Sequence, residues 1–334
     1  DRFPEATILG ASTAGEFTEG GDAKGAVALF ALAGDYKVFA GLGTGLRVSP
    51  ERAIEEAISG LPREVNGYPY QTGILLLDPL AGNGEEATLI ASSLIGPEVR
   101  LAGGAAGDDL AMSATQVAHG RRAAEDAAVV SLIFSRRPLG VGASHGHRAL
   151  SRPLRITRAS GNVVAEIEGR PAWEVWREHT RDHAAAQGID VDALSREAEG
   201  AFLLRYEAGL AAGAEELTIR APLSRSGGEL SFACGIAEGS VIRITESVAS
   251  RQIESAREAA RRAVAAGVHC YSLSDYAVRP LPRPGLLVGF TGALLVWRLD
   301  YVRLAIPEAR VQYEPTVESL AAIAQVVETH FGAD

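Results

Sequence analysis

Ile8-Leu9-Gly10-Ala11-Ser12-Thr13-Ala14-Gly15-Glu16-Phe17 decides how this chain is read, because a degenerate copy of it returns 92 residues later as Arg100-Leu101-Ala102-Gly103-Gly104-Ala105-Ala106-Gly107-Asp108-Asp109. In both copies a short apolar run meets a turn of glycines, alanines and hydroxyls, and then an Ala-Gly-acid step. A buried strand ends this way when backbone must approach something closely, since glycine has no Cβ to hold a ligand or a neighbouring chain away. Two such strand ends in one sheet imply a small-molecule cleft lined by backbone amides, with Glu16 and Asp108 at its mouth. The residues expected to line it are Ser12, Thr13, Gly15 and Glu16 from the first copy and Gly103, Gly104, Gly107, Asp108 and Asp109 from the second.

Working outward, Ala6–Ala11, Ala26–Ala33 and Tyr36–Leu42 have the pattern of strands. Ser49-Pro50-Glu51 then opens a helix, with serine as N-cap and proline at the first helical position. Thr72–Leu77 is a continuous apolar strand, Gly84–Ile95 a helix with acids in its first turn, and Glu98–Ala102 the next strand. Strands alternating with helices imply βαβ units. The expected fold class is α/β, with mixed, largely parallel sheets and flanking helices. From Ala114 the pattern changes to an antiparallel or mixed stretch: Thr115–Ala118, Ala127–Phe134, Val141–His147 and Leu154–Thr157, then Val163–Ile167. Pro171 opens a helix carrying Trp173 and Trp176, expected to pack under a sheet. Ser250–Ala266 is an amphipathic helix with Ile253, Ala256, Ala260 and Val264 on one stripe and Gly267 as C-cap.

The two ends of the sequence read as parts of one unit. Ser319–Phe331 is an amphipathic helix stopping at Gly332, and Asp1-Arg2-Phe3-Pro4 leads into a buried strand. Joined, they make an ordinary helix–loop–strand unit, so two related halves in a circularly permuted arrangement are expected. The division that follows is residues 1–165, completed by 280–334, and residues 166–279.

Composition narrows the function classes. At 47% hydrophobic and 22% charged residues, the 334-residue chain can bury a large core. A net charge of −10 argues against a nucleic-acid surface, and the arginine pairs Arg121-Arg122, Arg136-Arg137 and Arg261-Arg262 are short and scattered. Cys234 and Cys270 form neither a disulfide framework nor a zinc site and fit a reducing compartment. Gly285 to Trp297 is the longest apolar stretch, too short for a span of roughly 20 residues. No leader pattern opens the sequence. The expectation is a soluble cytoplasmic protein with no membrane partner.

Three further features carry chemistry, each with a plainer alternative. Ser12 and Thr13 can donate to a ligand or bond to their own turn. Asp108-Asp109 can serve acid–base work or a hard cation, or cap a turn. In Ser144-His145-Gly146-His147, a strand would project both imidazoles from one face toward a metal, a haem iron or an anion; the alternative is an exposed edge with two ordinary histidines. His179 and His183 stand at i, i+4, but Arg181 and Asp182 between them suggest a solvent-facing end. Gly41-Leu42-Gly43-Thr44-Gly45 lacks dinucleotide-fingerprint spacing. No Ser-His-Asp or Cys-His constellation can be assembled from spacing alone.

Taken together, three stretches resemble the FIST family, found in bacterial and some eukaryotic signalling proteins. Gly10-Ala11-Ser12-Thr13-Ala14-Gly15-Glu16 resembles its Gly-x-Ser-Thr-Ala-Gly-Glu signature. Ala102–Asp109 with Thr115-Gln116-Val117 is similar to its second block. His145-Gly146-His147, Ile156-Thr157, Gly161-Asn162 and Glu166–Ala172 resemble the junction between its two halves. The likeness runs from residue 1 to about 180 and more faintly to the 250–266 helix. Residues 268–334 depart from it, although Arg283–Thr291 is similar to the strand that precedes the signature. The resemblance implies an intracellular sensory module that binds a small ligand between two α/β halves and signals to a partner such as a histidine kinase or cyclase. The ligand would be an amino-acid-like metabolite, or haem responding to nitric oxide with His145 as the iron ligand and His147 beside it. The alternative function is a small-molecule hydrolase or transferase using Asp108/Asp109 and His145.

Overall fold

The computed structural model describes residues 6–18, 21–23, 25–30, 34–109, 111, 113–211, 217–268, 288–291 and 294–295. Three short strands come first: β1 (Leu9–Ala11), β2 (Glu16–Thr18) and β3 (Gly21–Ala23). Next come β4 (Tyr36–Thr44), α1 (Pro50–Ile58), β5 (Tyr70–Leu77), a 3-10 turn over Pro79–Ala81, α2 (Gly84–Ile95), β6 (Arg100–Ala105), β7 (Val117–His119), β8 (Arg122–Ala124) and β9 (Ala127–Ser135). Ser49 caps α1 as expected, its hydroxyl accepting from the Arg52 N–H at 3.4 Å, with Pro50 opening the helix.

The first sheet is ordered β4-β9-β5-β6, and its logic follows from β9. Ala-Ala-Val-Val-Ser-Leu-Ile-Phe-Ser is buried at all nine positions, which requires neighbours on both edges and layers on both faces. β4 and β5 supply the edges, both antiparallel to it. On one face Ala128 and Val130 pack with Ile54 and Ala57 of α1 and Ala87 and Ala91 of α2. On the other, Ala127 and Val129 pack with Val117, Ala106 and Leu42, beneath the small β1-β7-β8 sheet. α1 reaches its face closely because Gly41 and Gly43 leave room: a Cβ on Gly43 would stand 1.8 Å from the Ala53 carbonyl oxygen.

Downstream lie β10 (Val141–Ala143), β11 (His147–Ala149), β12 (Leu154–Ser160), β13 (Val163–Ile167), β14 (Arg170–Pro171), α3 (Ala172–Ala185), α4 (Arg196–Arg205), β15 (Ala208–Ala211), β16 (Leu217–Arg220), β17 (Pro222–Ser226), β18 (Glu229–Phe232), β19 (Val241–Ser247) and α5 (Ala249–Val268), then β20 (Val288–Thr291) and β21 (Leu294–Leu295). The second sheet, ordered β16-β15-β19-β12-β13-β18-β17 with β11 and β14 added, covers a core of Trp173, Trp176, Phe202, Tyr206, Phe232, Ile156 and Ile244. Both tryptophans are buried there, as their helical spacing predicts.

The α/β class holds, but the sheets are mostly antiparallel rather than largely parallel. Among the described strands, only β5/β6 and β10/β20 run parallel. The reason is β9: arriving from downstream, it inserts between β4 and β5, where two βαβ units would have placed them side by side. The segment 26–30 is exposed and in no strand, with Val27 67% and Leu29 55% accessible, where a strand over Ala26–Ala33 is expected. Val141–His147 is not one strand either. It breaks after Ala143, and His147 starts β11 in the second sheet. The expected helix at 319–331, Cys270 and the adjacency of the two ends lie outside the described residues.

Candidate functional site

β4, β5 and β6 end together where β9 begins: Thr44 pairs with Ala127, Leu77 with Ala128, and Ala105 with Leu77. Loops beyond the carboxyl ends of strands are where open α/β sheets place ligand sites. Both copies of the opening motif arrive at this edge. The Ala106 N–H bonds to the Leu77 carbonyl at 2.9 Å, and the Gly107 N–H to the Ser12 carbonyl at 2.8 Å. The two strand ends therefore meet each other. A Cβ on Gly107 would lie 2.9 Å from the Ala14 amide nitrogen, so glycine is required by the approach of chain to chain.

Each expected wall residue has a definite place. Ser12 is gripped by Gln116: its N–H donates to the Gln116 carbonyl and its hydroxyl accepts from the Gln116 N–H, both at 2.9 Å. The Thr13 hydroxyl donates to Glu16 Oε1 at 2.6 Å and accepts from the Gly15 N–H at 3.4 Å. Gly15 has a φ of +146°, and Glu16 Oε2 accepts from the Ala26 N–H at 3.3 Å. Gly103 and Gly104 lie in β6 opposite Leu75 and Leu76. Asp108 Oδ2 accepts from the Ser113 N–H at 2.6 Å and the Ala114 N–H at 3.1 Å, while Asp109 takes a φ of +55°. The two strand ends are braced together through Ser12 and Gly107, and Thr13, Ala14 and Asp109 are exposed there.

Asp78, which sequence reasoning passed over, underlies that brace. It is 2% accessible, yet its carboxylate accepts from the Thr115 hydroxyl, from the Leu80 N–H at 2.9 Å and from the Asp126 N–H at 2.6 Å. Asp126 continues the network: its carbonyl takes the Gly45 and Leu46 amides and its carboxylate the Arg47 N–H at 2.6 Å. The available signal was local. Leu77-Asp78-Pro79 is an apolar strand ending in an acid before proline, the pattern of a capping residue.

His145 and His147 belong to different surroundings. Gly146 lies against the start of α5, and its N–H donates to the Gln252 side chain at 3.3 Å. The rings are 5.8 Å apart. His147 is 8% accessible, with Nε2 at 2.8 Å from the equally buried Glu207, at ion-pair distance but without hydrogen-bond alignment. His145 Nδ1 accepts from the His147 N–H at 3.3 Å. Among the described residues, no three potential ligands gather into a metal site. His183 stands 3.9 Å from Glu246 at the exposed end of α3.

Burial, followed by the neighbouring His147, holds the His145 pKa below its usual value. His179 is lowered too, again chiefly by burial. A histidine depressed on folding binds its proton more readily when unfolded, so it contributes stability at neutral pH that falls as pH drops below about 6.5. Replacing His145 with glutamine is expected to flatten that acid limb partially, leaving the part due to His179. Histidine NMR titrations of the folded protein check it: a His145 midpoint at or above 6.5 contradicts the burial argument.

No curated protein matches the chain. The FIST N domain model, however, matches residues 1–170, a span that contains both strand ends, Asp78 and the two histidines. With half of its length covered by that model, the chain belongs to the FIST family.

Proposed function

We propose that this chain is a sensory module that binds a small metabolite at the carboxyl edge of its first sheet and passes the signal to a separate protein of the histidine-kinase or cyclase kind. The carrying observation is the meeting of the two strand ends through the Gly107–Ser12 hydrogen bond, at the edge where strands β4, β5 and β6 finish. The exposed backbone around Thr13, Ala14 and Asp109 offers amides and carbonyls to an amino-acid-like ligand, and Glu16 a carboxylate to its ammonium. Signal transduction by the FIST family is consistent with this role. A sensor requires a bound state that differs from the free one, and a brace of two non-local segments can tighten on a ligand.

The metabolite is favoured over haem by the neighbours of His145. Arg251, Arg262 and His147 all bear on its charge, Leu217 engages it by a main-chain hydrogen bond, and Gln252 holds the adjacent Gly146. These polar and cationic groups do not fit a macrocycle, whose two faces need apolar flanks.

A thermal-shift screen of amino acids and related metabolites, with an absorption spectrum of the purified protein, tests the proposal. Expected are stabilisation by at least one metabolite, loss of most of that shift in Glu16→Gln, and no Soret band after incubation with haem. A Soret band that disappears in His145→Ala would overturn the metabolite reading, as would a screen without hits.

A further inference from the structure

A cleft of about 490 Å³ lies at the start of α5, lined by Arg148, Gln187, Arg205, Glu246, Val248, Ser250 and Arg251. Three cations face one carboxylate there. Glu246, 4% accessible, is met by Arg148 at 2.9 Å and Arg205 at 3.6 Å. Among the described residues, the Arg251 guanidinium has no carboxylate partner, so the cleft carries surplus positive charge in a chain whose net charge is −10. α5 is 20 residues long, and Val248 before it has no side-chain oxygen to cap the first amides. The Arg251 and Gln252 amides bond back to the Val248 carbonyl, so the helix's open end is the turn at Ser250.

An independent observation is a donor at this cleft without an acceptor. Arg205 Nε is buried and makes no hydrogen bond. Tyr206, 0% accessible, belongs to the core of the second sheet and lies beside the Arg205 side chain. It stands close enough to Glu246 and Arg205 to feel both charges. Buried donors of this kind cost stability unless something accepts from them.

We propose that this cleft is an anion-binding site for a compact doubly charged oxyanion, a phosphate monoester or a dicarboxylate, held by Arg251, Arg205 and the first turn of α5. A single negative charge would be matched by Arg251 alone. A second is matched by the helix terminus and by the share of Arg205 not taken by Glu246. Arginine's planar fork suits both oxyanion types. The site does not depend on the strand-end brace, and it joins β11, α4 and α5 around one ligand.

Isothermal titration of the full chain at low ionic strength, with inorganic phosphate in one arm and succinate in the other, tests it. One of the two probes is expected to bind at a single site, and the tighter probe identifies the ligand class. Arg251→Gln, at an exposed position that leaves the core untouched, is expected to weaken binding at least tenfold. Arg261→Gln, further along the same helix, is expected to leave it unchanged. Equal weakening by both variants would mean a diffuse charge effect and overturn the site, and so would the absence of binding by either probe.

Discussion

Gly103→Ala is expected to separate β6 from β5 and to destabilise the first sheet by roughly 3 kcal/mol or more, beyond ordinary overpacking. A Cβ at this position would stand 1.7 Å from the Leu75 carbonyl oxygen and 2.6 Å from its carbon. Those are backbone atoms of the paired strand, so no side chain can rotate away and the strands themselves must part. β6 is held in this sheet by its parallel pairing with β5, and its continuation makes the Ala106 and Gly107 hydrogen bonds that hold the strand-end brace. The damage therefore travels to the candidate site. Gly60→Ala is the matched control, since nothing lies within 4 Å of a Cβ there. Urea unfolding checks the pair. Equal midpoints for the two variants would mean that Gly103 does not sit this close to β5.

Asp78→Ala is expected to cost about 3 kcal/mol. It deletes an acceptor shared by Thr115, Leu80 and Asp126, leaving buried donors unsatisfied at roughly 1–3 kcal/mol each, partly relieved by water. Asp78→Asn keeps the volume but presents an N–H₂ group to one of those donors, so it should recover only part of the loss. Thr115→Val removes a single partner and should cost less than either. A double-mutant cycle between positions 78 and 115 would show coupling, because the two side chains touch. Additivity would indicate that Thr115 and Asp78 do not act together.

Local features of the fold were readable because their causes are local. The uninterrupted apolar run at 127–134 announces a strand buried on both faces, Ser49-Pro50 announces a helix start, and the helix expected over 250–266 is α5, although it runs through Gly267 to Val268 and buries Ser255, Ala259, Ala260 and Ala263 while Ile253 of the expected stripe is 44% exposed. The strand order was not readable. Pairing β9 with β4 joins residues about 90 positions apart, and no period in the sequence records which distant strand becomes the neighbour. The break after Ala143 was hidden for a similar reason: it is set by the approach of Gly146 to the start of α5 more than 100 residues downstream.

The candidate site shows the same division. Repetition of the Ala-Gly-acid step marked two strand ends, and the structure brings them into contact. The need for glycine was attributed correctly to close approach, but at Gly103 and Gly107 the approaching group is the chain's own backbone. The α5 cleft had no sequence signature, since Arg148, Arg205, Glu246 and Arg251 come from separate elements at unrelated spacings.

Hydrogen exchange on the full chain, with and without the best metabolite from the screen, tests the central claim most directly. The account predicts slower exchange at the amides of residues 12–16, 106–109, 113 and 114, around the meeting of the two strand ends. Protection confined to other segments, with these amides unchanged by a ligand that binds, would contradict it.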